Sequence, residues 1–481
     1  MYNSFINGFV WSAIGQYGRI ISVLIINMIL SRMLTPEEFG QVAMITVFIT
    51  FFQLMTEAGF GPAIIQQKNF NKKDFSNLFN ISVVFSIFFA VAFGIFGYAI
   101  AYFYSSDEYI SFSWLLSLVI LFSGMQIVPN AMLLKNKNFK TINIISLFVT
   151  IISGLFGVLL AKLGMGVYTL IYNSILSAFL TFVLITKISD IHFVKGFDTS
   201  SLKKIWFFSK NQFGFNFINY FSRNSDSLLI GKFMSAESLG NYNKSYQLLM
   251  YPVTIFGGVV NPILQPILSD YQDDVAVIKN VYYKLVKVLA MITIPFSIFL
   301  VFSSKEIIFI MFGNQWEGAV LPFSILSSTV WIQVISSTAG AIFQSRNKTK
   351  DLFITGAFSA VVIVTSIIVG VILGSTETVA ICVALAFFWN FIQSYWFLTH
   401  RALNSNLVQF GNIFKKPFCI GLIMFIFFSI YNLYFAAFFQ ALIINLLVRI
   451  IAFTIIFVVS IIMLGEYKHI MNFVEKRNSS V

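Results

Sequence analysis

Apolar residues run along this chain in long continuous blocks separated by short polar stretches. The blocks fall at about 6–30, 41–60, 78–103, 111–133, 141–161, 167–186, 211–233, 245–268, 285–303, 320–343, 352–373, 378–399, 417–437 and 441–464. Each is long enough to cross a bilayer as a helix, which takes about 20 predominantly apolar residues. Because the runs are continuous instead of alternating in ten-residue pieces, a membrane β-barrel is excluded. The pattern predicts an all-α polytopic membrane protein with about 14 transmembrane helices.

Composition agrees. Of 481 residues 58 % are hydrophobic and only 10 % charged, against roughly a quarter charged in a soluble domain. A cytoplasmic enzyme, a secreted module and a disulfide scaffold are thereby ruled out. Cys382 and Cys419 lie inside apolar runs without CxxC spacing, and His192, His400 and His469 lack metal-ligand spacing, so neither a metal site nor a redox pair is expected. No P-loop, GxSxG, HExxH or dinucleotide fingerprint is placed where it would work. The chain is expected to be no enzyme and to need no bound cofactor. The N-terminal segment has no basic region or small-residue cleavage site, so the first helix is expected to stay.

The net charge of +12 sits in short loops. With the N-terminus inside, the outer basic residues are Arg32, Lys162, Lys232, Lys244 and Lys305, while Arg19, Arg223 and Arg449 fall within spans and the rest are inside. That asymmetry is expected to place both termini in the cytoplasm. Clusters such as Lys135-Lys137-Lys140 and Arg346-Lys348-Lys350 would face anionic lipids. Charges split among short loops argue against nucleic acid.

The halves of the chain are related. At an offset of 200, the segment 30–40 overlies 230–240, matching Thr35 to Ser235, Glu37 to Glu237 and Gly40 to Gly240, and then Pro62 to Pro262 and Asp74 to Asp274. At offset 217, Asn173 overlies Asn390 and Ser177 overlies Ser394. The organisation reads as a six-helix lobe at 1–186, a cytoplasmic connector at 187–210, a second six-helix lobe at 211–399, and two further helices with a tail at 400–481. Parallel repeats of this kind are expected to place a substrate site at their interface near mid-bilayer, with transport by rocking.

Span seven carries Gln212, Asn216, Asn219, Arg223 and Asp226 at spacings of 4, 3, 4 and 3, one face of a helix. A mid-membrane arginine costs about 2.5–3.5 kcal/mol on insertion scales, so such a stripe is expected to face a cavity or a partner. Span one repeats it in part with Ser12, Gln16 and Arg19, and span two carries Thr46, Thr50, Gln53 and Glu57 on one face. Glu57 is the candidate partner for Arg19. Glu57 and Asp226 are also candidates for coupling to H⁺ or Na⁺. The competing structural readings are an Arg223–Asp226 pair at i,i+3, an interfacial Glu57, and an Arg449 that snorkels to the surface or meets a lipid headgroup. Thr35-Pro36-Glu37-Glu38 reads as a helix start with a capping box. Pro252, Pro262 and Pro266 mark a possible kink or break. Tyr172, Tyr246, Tyr251 and Trp389 are aromatic candidates for lining such a cavity.

With LSRMLTPEEFG at 30–40, the segment 222–248, NPILQPILSDYQDD at 261–274 and MFGNQWEGAV at 311–320, the chain resembles bacterial polysaccharide and lipid-linked oligosaccharide flippases of the multidrug/oligosaccharidyl-lipid/polysaccharide exporter superfamily. The resemblance implies two six-helix bundles, alternating access, and a groove for a polyprenyl tail formed by the last two helices. It also implies an undecaprenyl-pyrophosphate-linked oligosaccharide as cargo and, in the same pathway, polymerase and glycosyltransferase partners. Arg19 matches in location a first-helix arginine that such flippases present to the pyrophosphate, whereas span two offers Gln53 and Glu57 where peptidoglycan-precursor flippases carry further arginines, which favours another saccharide. The expected site is Arg19 and Arg223 on the diphosphate with Gln16, Asn216 and Asn219 on the sugars. A multidrug or cation antiporter of the same superfamily is the first alternative. A polytopic polymerase or glycosyltransferase is the second, and it would need a large outer loop that the chain lacks.

Overall fold

The computed structural model describes residues 2–57, 61, 64, 72–191, 220, 224–439 and 441–466, and every regular element among them is helical. In chain order the first helices are α1 (Tyr2–Met33), α2 (Pro36–Glu57), α3 (Lys72–Tyr104), α4 (Glu108–Met125), α5 (Ile127–Lys135), α6 (Phe139–Lys162) and α7 (Val167–Ser189). A helical segment at 224–233 leads to α8 (Ala236–Ser269), α9 (Val275–Phe302) and α10 (Ser304–Met311). There follow α11 (Val320–Ser327), α12 (Val330–Ser345), α13 (Thr349–Ile372), α14 (Thr376–Phe397), the short α15 (Leu407–Gly411), α16 (Lys415–Tyr434) and α17 (Leu442–Met463). Ten described segments are long and apolar enough to cross a membrane, eleven if Asn314–Ser327 and Val330–Ser345, bent by 56°, form one span. The helices α1 and α8 have the length, at 32 and 34 residues. Together with the seventh apolar block, which lies mostly outside the described residues, the series is consistent with the fourteen predicted.

Matched local sequences build matched helix starts. The Glu38 carboxylate accepts from the Thr35 N–H at 2.7 Å while Thr35 Oγ1 accepts from the Glu38 N–H at 3.3 Å, the reciprocal capping box. In the second copy Ser235 Oγ accepts from the Ser238 N–H at 3.0 Å. Glu38 thus closes the first turn of α2. The two starts also touch: a β-carbon on Gly40 would overlap the Ala236 carbonyl, and one on Gly240 would overlap the Pro36 carbonyl. Only glycine permits two backbones to cross this closely. Pro252, Pro262 and Pro266 do not interrupt α8, which runs unbroken from Ala236 to Ser269.

The chain divides into two compact units, 1–240 and 241–481. In the first, α1 lies on α6, with Gly15 under Asn143 and Ile26 over Gly154, and α3 lies on α4, with Gly94 under Trp114 and Gly97 under Ser113. Without a hydrophobic drive between helices in lipid, such close seating supplies the dispersion energy that holds the bundle. Pro129 has no N–H for the Met125 carbonyl four residues earlier, so one ladder bond is missing where α4 passes into α5, though Glu108–Lys135 still runs as one span.

In the second unit α9 is the most enclosed span. Its Tyr282 hydroxyl meets Thr338 Oγ1 on α12 at 3.0 Å and the Tyr395 hydroxyl on α14 at 2.8 Å, and Tyr395 donates to the Ile335 carbonyl at 3.0 Å. The hairpin α16–α17 is fastened at two levels. At one, Arg449, 3 % exposed, reaches Glu306 on α10 at 3.2 Å. It also donates to the Phe302 carbonyl and to Asn432 Oδ1, each at 2.6 Å, while Asn445 Nδ2 donates to Glu306 at 2.9 Å. Arg449 therefore neither snorkels nor greets a lipid headgroup, because a buried carboxylate 143 residues away in sequence claims it. At the other level Glu466, 1 % exposed, takes Lys287 of α9 at 2.8 Å and Lys416 of α16 at 2.6 Å. Burial raises the proton affinity of Glu466, but the hydrogen bonds and charges of the two lysines outweigh it and hold the carboxyl below its ordinary value. Arg346 donates to the carbonyls of Ala402 and Gln272.

Candidate functional site

The α2 stripe divides by chemistry. Thr46 and Thr50 spend their hydroxyls on the backbone carbonyls one turn earlier, at 2.6 and 2.9 Å. Gln53 instead reaches across to α4, where its amide donates to Ser123 Oγ at 3.2 Å. Glu57, half-buried at the end of α2, lines a cavity of about 500 Å³ with Gln53, Ser123, Gln126 and Asn130. A second cavity of about 440 Å³ in the same unit is lined in part by Asn27, Thr150, Asn173 and Ser177, and it shares Ser123 and Gln126 with the first. Polar side chains of α1, α4, α6 and α7 thus look into the first unit's interior. The sequence signal for this was slight: Gln126 and Asn130 stand four apart around Pro129 in an otherwise apolar block. Asn390, the repeat counterpart of Asn173, is 9 % exposed and its amide oxygen lacks a hydrogen-bond donor among the described residues.

Gln16 and Arg19 are exposed on α1 and lie outside both cavities, and no Arg19–Glu57 ion pair forms. Gln212, Asn216, Asn219 and Arg223 lie outside the described residues. Asp226, on the segment 224–233, accepts from the Ser227 N–H at 2.8 Å. Of the aromatic candidates, Tyr172 stacks on Tyr168 with centroids 6.2 Å apart, Tyr246 stacks on Tyr242 at 6.1 Å, Tyr251 receives Gln247, and Trp389 is 59 % exposed. Among the described residues no three His, Cys, Asp or Glu side chains group as metal ligands.

Residues 29–321 match the family described as "Polysaccharide biosynthesis protein". The chain belongs to that family. It is 25 % identical over 424 residues to the teichuronic acid biosynthesis protein TuaB of Bacillus subtilis (strain 168), a match covering 86 % of each chain. It is 21 % identical over 423 residues to the succinoglycan biosynthesis transport protein ExoT of Rhizobium meliloti (strain 1021), covering 86 % of this chain and 84 % of that one. Among solved structures it is similar to the lipid II flippase MurJ in its inward closed conformation. That match has a TM-score of 0.76 at 15 % identity and covers 95 % of this chain and 99 % of that one. The chain therefore shares its fold with that solved structure and belongs to a family of polysaccharide biosynthesis. The resemblance read from the 30–40 and 222–248 segments holds.

Proposed function

We propose that this protein flips a polyprenyl-pyrophosphate-linked oligosaccharide repeat unit across the bacterial plasma membrane for cell-surface polysaccharide synthesis. The supporting observation is the conjunction of a polysaccharide-biosynthesis family match over residues 29–321 with a flippase fold along 95 % of the chain. Both termini face the cytoplasm in this reading. The chemistry is translocation without a covalent step, so the protein is no enzyme, and the polymerase and glycosyltransferases of its pathway act before and after it.

Arg19 and Arg223 bind the diphosphate in this reading, as arginine's planar donor fork suits phosphate oxygens, and Gln16, Asn216 and Asn219 hydrogen-bond the sugars. Alternating access is driven by H⁺ or Na⁺ through Glu57 and Asp226. A hydrogen bond to a charged group contributes about 1.5–3 kcal/mol, so Arg19→Ala or Arg223→Ala lowers repeat-unit export about tenfold or more. The test is complementation of an export-deficient strain with variants present at normal membrane levels. Unimpaired export by both variants removes the two arginines from the reading.

A further inference from the structure

The hollow of about 440 Å³ in the first unit is walled by helices turned polar side inward. On α7 it is lined by Asn173, Ser174, Ser177 and Thr181, whose spacings of 1, 3 and 4 put them on one helix face. Phe179 and Val183, on the opposite face, are exposed. Thr150 and Ser153 of α6 and Gln126 at the α4–α5 junction carry the polar wall round the hollow. Nine of the sixteen described lining residues are Ser, Thr, Asn or Gln, and none is ionisable or aromatic. Polar groups inside a membrane bundle need hydrogen-bond partners, so this wall is made for an occupant that supplies them.

The groups divide by role. Thr150, Ser174 and Thr181 give their protons to backbone carbonyls one turn earlier, at 2.7, 2.8 and 2.7 Å, so what they offer the interior is oxygen lone pairs. Gln126 Oε1 is buried and has no hydrogen-bond donor among the described residues. Donors stand among these acceptors, because the Asn173 and Gln126 amides carry two N–H bonds each. Gly157 makes room for the first of them: a β-carbon there would lie 3.3 Å from Asn173 Nδ2.

This wall discriminates between classes of occupant. An anion would find no cation in it, and Glu57 lines the adjoining hollow, which shares Ser123 and Gln126, so a carboxylate or phosphate would be repelled and left unpaired. A greasy or cationic drug would meet neither a carboxylate nor an aromatic face and would leave the amides unsatisfied. A neutral polyol suits it, since each hydroxyl donates once and accepts as well, and the volume falls within the roughly 300–1,000 Å³ of small-molecule sites. We propose that this hollow seats an uncharged sugar residue of the repeat unit, with Gln126 and Asn173 as its principal hydrogen-bonding partners. The assignment rests on the flipping reading above and narrows it: the first unit selects on hydroxyl configuration.

The experiment uses full-length protein in nanodiscs and two probes. One is the lipid-linked repeat unit extracted from the source strain; the other is undecaprenyl pyrophosphate, which has the lipid and the diphosphate but no sugar. Affinities are read by native mass spectrometry. Occupancy of the hollow is read from the rate at which N-ethylmaleimide labels Ser177→Cys in a Cys382→Ser/Cys419→Ser background. Asn173→Ala and Gln126→Ala are each expected to weaken repeat-unit binding about fivefold or more, and to change undecaprenyl pyrophosphate binding less than about twofold. The repeat unit slows labelling of Ser177→Cys, and undecaprenyl pyrophosphate does not. If the alanine variants fail to fold, the labelling carries the test. Unchanged repeat-unit affinity in both alanine variants overturns the sugar seat, as does labelling that responds to neither probe or to both alike. A repeat unit built of acidic sugars alone overturns it too. In each of those cases flipping still stands on repeat-unit binding by the wild type. Absence of that binding removes the flipping reading and the seat together.

Discussion

Removing Arg449 tests the energetics of the second unit most directly. Arg449→Ala strips Glu306, whose side chain is 7 % exposed, of its cation. It also leaves the Phe302 carbonyl and Asn432 Oδ1 without the donors that reach them at 2.6 Å. Breaking a buried pair by deleting one partner costs about 3–5 kcal/mol, whereas replacing both by apolar groups of similar volume is often close to neutral. Glu306→Leu alone strands the guanidinium and is expected to cost a similar amount. The double variant Arg449→Ala/Glu306→Leu then loses less than the sum of the singles by about 2 kcal/mol or more, the sign of coupled neighbours. Reversible unfolding of the four proteins in mixed micelles completes the cycle. Additive single effects, or an Arg449→Ala loss under about 1 kcal/mol, would show that the ion pair seen at 3.2 Å contributes nothing beyond its surroundings.

Three further outcomes are expected. Gly40→Val and Gly240→Val each force a β-carbon into a facing carbonyl, and overpacking of this kind costs about 1–3 kcal/mol or more; export and membrane level should both fall, and normal values for both variants would contradict the crossing. Glu466 gives a pH signature. Its folded carboxyl is held below the ordinary 4.5 by Lys287 and Lys416, so its contribution is present above that value and is lost as pH falls through the lower folded one. The thermal midpoint gap between wild type and Glu466→Gln should be full at pH 7 and close below about pH 4, and a gap that widens on acidification would reverse the sign. Tyr282→Phe should lower stability by about 1 kcal/mol, since it removes a hydroxyl that meets both Thr338 and Tyr395; Tyr283→Phe, whose hydroxyl reaches only Ser405, should cost less.

The helices were legible because apolar blocks in lipid have few alternatives to a helix, and capping chemistry marked the start of α2 at Thr35; α8 begins at Ala236, nine residues before its apolar block, because polar residues make up its first turns. The repeat was legible because Gly40 and Gly240 answer one steric demand, each making room for the other copy's backbone. Glu57 was singled out by its stripe on α2, but its surroundings were not, since Gln126 and Asn130, which line the same cavity, lie far along the chain at the junction of α4 and α5. Arg449 illustrates the same limit. Its partners Glu306 and Phe302 lie far off along the chain, and nothing in the local sequence of α17 marks them.

The two fastenings of the α16–α17 hairpin have a mechanical corollary. To peel away from α9 and α10 the hairpin would have to drag a guanidinium into hydrocarbon, at about 2.5–3.5 kcal/mol on insertion scales, and strand a buried carboxylate at each end. Apolar helices slide past one another in lipid at little cost, but bolted ones do not. Whatever packs alongside such a pair meets a stiff rail fixed to the body of the second unit.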